Sequence, residues 1–138
     1  NAALYESGPT PVCLRSHYGI NTKASGDYGR VAVVQFAGSF FKPTDLDMFQ
    51  QRYHTPSQTV DETIGYIGNH AGTEATLDIE WVMAIAQNVK SVVIQIPATA
   101  ATPFLDWSIA ALNDNNTAEV HSVSWGTPEY EYDDEVGV

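Results

Sequence analysis

Basic residues are scarce in this sequence: six lysines and arginines stand against 17 aspartates and glutamates, a formal net charge of −11. Nucleic acid and anionic membranes both demand a positive surface, so neither is expected as a partner. Cysteine is nearly missing, and the single Cys13 excludes an internal disulfide framework and any cysteine-based zinc cluster. No apolar run approaches the ~20 residues of a membrane span. No Gly-x-Ser-x-Gly elbow is present to expose a hydrolase nucleophile. His17, His54, His70 and His121 lack metal-ligand spacing, and Gly19, Gly26 and Gly29 make no phosphate-binding fingerprint. What is there suffices for one core: 43% of the 138 residues are hydrophobic, which argues against disorder.

The chain reads as alternating strands and helices. Thr10-Pro11 offers an N-cap followed by proline at the first helical position, and Gly19 closes a helix of about two turns. Arg30–Phe36 and Ser91–Ile96 are continuous apolar runs and read as buried strands. Pro43–Tyr53 carries Leu46, Phe49 and Tyr53 at helical spacing, and a shorter strand is expected over Thr63–Ile67. Thr73–Gln87 is the longest helical candidate. Thr102-Pro103 repeats the cap-plus-proline device and opens a helix to about Asn113, and Val120–Trp125 reads as the last strand. This order predicts an α/β fold, a parallel sheet with helices on both faces.

Thr73–Gln87 carries the chemistry. At 100° per residue, Thr76, Glu80 and Gln87 make a wet face, and Leu77, Trp81, Val82 and Ile85 an apolar arc opposite. Glu74 and Asp78 fall inside that arc, about 40° apart. No lysine or arginine lies on the helix to pair them. Buried carboxylates without a cation are accommodated by sharing a proton, which splits their titration and makes an acid–base device. The plainer alternative puts Glu74 in water, favoured by the dipole of the first turn.

Four segments in series resemble one family. Thr10–Ile20, TPVCLRSHYGI, is similar to the mature start of the sedolisins, the serine-carboxyl peptidases. Arg30–Phe49 resembles their first long strand and the helix after it, and Glu74–Ala86 their catalytic helix with its Glu-x-x-x-Asp pair. Pro103–Gly126 resembles the helix and strand leading to their substrate groove. The resemblance implies a subtilisin-like sheet and peptide-bond hydrolysis in acid, either internal or from a chain end. Glu74 would be the general base for a serine nucleophile and Asp78 the acid that orients it. The backbone of Ser124, Trp125 and Gly126 would pair with the peptide as an added strand. Some bacterial members extend the acid network with a glutamate on the first strand, where this chain has Gln35.

The family's nucleophilic serine, oxyanion aspartate and calcium loop lie beyond the SVSWG strand. Residues 1–138 are therefore expected to be the N-terminal part of one peptidase catalytic domain, completed by a companion C-terminal chain that also holds the calcium. The start at Asn1 implies processing. Cys13 would be either a buried thiol or an interchain disulfide. Asn115-Asn116-Thr117 is a glycosylation sequon, and an acid-acting enzyme belongs in a lysosome, a vacuole or an acidic secreted medium. The five acids and two tyrosines of Glu129–Glu135 read as a solvated loop. The competing reading is a catalytically dead binding or inhibitory domain on the same fold, which would have no reason to keep a buried acid pair.

Overall fold

The computed structural model describes residues 8–24, 29–65, 68, 70–126 and 128. Among the described residues four helices and four strands alternate: α1 Pro11–His17, β1 Arg30–Gln35, α2 Pro43–Tyr53, β2 Glu62–Gly65, α3 Thr73–Ile85, β3 Lys90–Gln95, α4 Pro103–Asn113 and β4 Val120–Val123. Every strand pairing is parallel and the strand order is β2-β3-β1-β4. The expected α/β architecture is what forms. The expected second strand shortens to Glu62–Gly65, and Ile67, like the acidic Glu129–Glu135 segment, lies outside the described residues.

Proline marks three of the helix starts among the described residues, and a side-chain cap one of them. The Cys13 N–H donates to Thr10 Oγ1 at 3.2 Å, and Pro11 occupies the first helical position, where its missing donor costs nothing. Pro43 and Pro103 also open α2 and α4, but neither Lys42 nor Thr102 makes a side-chain capping bond there, so the cap expected of Thr102 does not form. The central strands β1 and β3 bury five residues each, as continuous apolar runs in a two-sided sheet must.

Alternation along those strands divides the core in two. Val33 and Val93 pack with Leu46 of α2 and with Ile79 and Met83 of α3. Ala32, Val34, Val92 and Ile94 face the other way, toward Phe104, Trp107 and Ala110 of α4. α1 packs on α3 and α2 lies beside it, so α3 is enclosed by other elements as well as the sheet. Phe49 of α2 meets Trp81 of α3 edge-on, with ring centroids 5.7 Å apart.

The apolar arc expected for α3 is corrected by this packing. Leu77 is 46% exposed, whereas Ile79 is fully buried and Met83, Ala75 and Ala84 are buried around it. Gln87, assigned to the wet face, is buried as well. The cause is that apolar residues ring nearly the whole helix, so contrast around the wheel is weak and the sheet decides which side goes in. Gln87 also lies beyond Ile85, where helical periodicity no longer applies.

Candidate active site

The polar residues converge at the C-terminal ends of the strands, where ligands bind in open parallel sheets. β1 and β3 both finish on a buried glutamine, Gln35 and Gln95, cross-strand neighbours in register. They continue the side of the sheet occupied by Val33 and Val93, so both turn toward α3. There Asp78 is 6% exposed and forms no ion pair among the described residues. Both of its oxygens accept hydrogen bonds. Gln35 Nε2 donates to Asp78 Oδ2 at 2.8 Å, and Ser124 Oγ, just past β4, donates to Asp78 Oδ1 at 2.9 Å.

Glu74 stands one helical turn earlier and is half-buried. Both contacts of Asp78 go to Gln35 and Ser124, and neither is Glu74. The acid pair is thus arranged unequally, with Asp78 enclosed and Glu74 closer to the surface at the helix start.

The start of α3 is tied to the loop after β1. The Phe40 N–H donates to the His70 carbonyl at 3.2 Å, and the Gly72 N–H to the Phe40 carbonyl at 2.8 Å, an isolated parallel bridge between Phe40 and Ala71. Gly72 precedes the helix because a Cβ there would lie 2.0 Å from Ser39 Oγ. The helix bearing Glu74 and Asp78 is therefore tied to the same strand-and-loop unit that supplies Gln35.

Ser124, Trp125 and Gly126 leave the end of β4, which pairs with β1 alone among the described strands. Ser124 and Gly126 are exposed, while Trp125 is half-buried and meets Phe36 edge-on at 5.9 Å. Beside them the loops after β1 and β3 wall an apolar cavity of about 450 Å³ lined by Phe40, His70 and Pro97. A smaller one of about 200 Å³ reaches Trp125 and Gly126.

The remaining candidates lie away from this cluster. Asn115 is exposed in the turn after α4, where the Thr117 hydroxyl donates to the Asp114 carbonyl at 2.8 Å. Cys13 is 3% exposed on the inner side of α1. Glu80 lines a separate cavity of about 400 Å³ between α2 and α3. Burial, and then the negative charge of Asp45, push its carboxyl above the usual range. Among the described residues no group of three or more histidines, cysteines or acids comes together to hold a metal. No helix among them is long and apolar enough to cross a membrane.

The structure gives Asp78 two partners that the sequence did not foresee as such. Gln35 appeared only as a departure from a glutamate, and Ser124 only through its backbone. One signal pointed to Gln35: two otherwise apolar buried strands each end on an amide, which is costly without a polar partner. None pointed to the Ser124 side chain.

No protein-family model matches this chain. Curated relatives do. The chain is 32% identical to mouse (Mus musculus) tripeptidyl-peptidase 1 over 88% of its own length, which is 23% of that protein. It is 35% identical to tripeptidyl-peptidase 1 of Dictyostelium discoideum over 71% of its length, and 30% identical to the rat (Rattus norvegicus) protein over 88%. The chain thus spans about a quarter of the length of the curated relatives it matches. Together with the parallel α/β sheet, these matches uphold the resemblance carried by its motifs: this chain resembles the sedolisin family along nearly its whole length.

Proposed function

We propose that this chain supplies the acid–base half of an acid-acting serine-carboxyl peptidase. One observation carries the reading: a buried carboxyl with no ion-pair partner among the described residues, Asp78, sits one turn after Glu74 on a helix matching peptidase relatives. Burying such a group is expensive, and stability alone gives no reason to keep it. In this reading Glu74 takes the proton from a serine hydroxyl as the oxygen attacks the scissile carbonyl. It then gives that proton to the departing amine, while Asp78 orients it.

The serine and an aspartate that stabilises the oxyanion come from polypeptide outside these residues, a companion chain in our reading. The exposed backbone at Ser124 and Gly126, at the end of the edge strand β4, is suited to receive an extended peptide as a further strand. The described residues do not fit a calcium ion, so we place the family's calcium with the companion polypeptide and route no step through it. The exposed Asn115 turn suits glycosylation, in keeping with a lysosomal, vacuolar or secreted acidic location.

The test is the pH dependence of peptide hydrolysis by the assembled peptidase. Carboxyl groups ordinarily titrate near ~4, so kcat/KM should be bell-shaped with its maximum in acid. A maximum at neutral pH would require a histidine base and would overturn the assignment.

A further inference from the structure

The Asp78 clamp is built from groups that do not titrate, and this distinguishes it from a chain of acids. Gln35 Nε2 faces Oδ2 at 2.8 Å. An amide N–H can only donate, so Oδ2 is the acceptor in this contact. Ser124 Oγ holds Oδ1 at 2.9 Å from a different element, so the two contacts fix both the position and the plane of the carboxyl. Glu74 lies one turn earlier on the same helix. β1 presents Gln35, β3 presents Gln95 and the segment after β4 presents Ser124.

Gln35 is poorly explained as a core residue. It is 1% exposed, and its Oε1 is buried with no partner among the described residues. An amide left half-unpaired costs stability that an apolar side chain of similar size would not. Among the described residues its side chain makes its polar contact with Asp78.

We infer that Gln35 and Ser124 are positioning residues that hold the Asp78 carboxylate in one orientation as a hydrogen-bond acceptor. This deepens the peptidase reading and rests on it. The amide is suited to the task because it donates at every working pH, whereas a glutamate at the same place would donate only while protonated.

The test compares Gln35→Leu, Gln35→Glu, Ser124→Ala and Ser124→Thr in the assembled peptidase, with Glu74→Gln as control. Gln35→Leu should lower kcat about tenfold or more with KM little changed. Gln35→Glu should keep activity at the acid end and lose it on the alkaline side, where two carboxylates would face each other. Ser124→Ala should show a smaller loss, about threefold, which Ser124→Thr restores by returning the hydroxyl. If Gln35→Leu fails to fold, the profile of Gln35→Glu decides. Profiles of the Gln35 variants superimposable on the parent, with Ser124→Thr no better than Ser124→Ala, would overturn the clamp. An active Glu74→Gln would instead bring down the peptidase reading itself, so the two failures are told apart.

Discussion

α3 and α4 are helices of similar length on opposite faces of one sheet, yet α3 buries five residues and α4 none. α3 lies under α1 and α2, whereas α4 leaves Leu105, Ile109 and Leu112 open, the last at 84% exposure. The strands beneath are equally apolar, so the difference lies in how many layers cover each face. It shows where a charge can be held: only the enclosed helix offers a buried position on which donors from two other elements converge. Asp78 sits there, and the acid on α4, Asp106, stays at the surface with the Thr102 hydroxyl 3.3 Å away.

The contrast is tested first at Glu74. Glu74→Gln should leave melting and circular dichroism nearly unchanged while peptide hydrolysis falls 10²–10⁴-fold, about the worth of a general base. Retention of a tenth of parental turnover would remove Glu74 from the base role. A second comparison concerns packing. Ile79→Ala, in the enclosed core, should cost about 2–5 kcal/mol by denaturant unfolding, and Ile109→Ala on the open flank of α4 about 0.5 kcal/mol or less. Equal losses would mean that the two faces are not differently covered.

The smallest effects are electrostatic and of opposite sign. Glu80 on α3 has its carboxyl raised by burial and by Asp45, so its contribution to stability is present in acid and lost as pH rises through the folded value. Glu80→Gln should therefore stabilise at neutral pH, by about 0.5 kcal/mol or less given its exposure to solvent. Glu119, before β4, is lowered by the hydrogen bond it accepts from the Arg30 N–H at 2.6 Å. Its contribution is present at neutral pH and lost as pH falls through the folded value, so Glu119→Gln should destabilise only at neutral pH. Thermal melts of both variants from about pH 3 to about pH 8 check the crossing.

Much of this was legible in the residues, for identifiable reasons. Continuous apolar runs such as Val31–Val34 have few alternatives to a buried parallel strand, and proline after threonine marked two helix starts within a residue. Asp78 stood out because a carboxyl in an apolar stretch has no bland explanation. The inward side of α3 was misjudged, because a helix apolar nearly all round leaves that choice to its neighbours. Gln35 and Ser124 could not be joined to Asp78 from local pattern. They stand 43 and 46 residues away in the chain, and only the crossover that sets β4 beside β1 brings all three together.

The bridge between Phe40 and Ala71 has a consequence for motion. Two backbone hydrogen bonds join the segment after β1 to the turn that begins α3. Opening them would release the start of the helix, and Glu74 with it, while Asp78 stayed held one turn deeper by its two donors. The amides of Phe40 and Gly72 should therefore exchange with deuterium together and more slowly than the loop amides around them, reporting the local opening that frees Glu74.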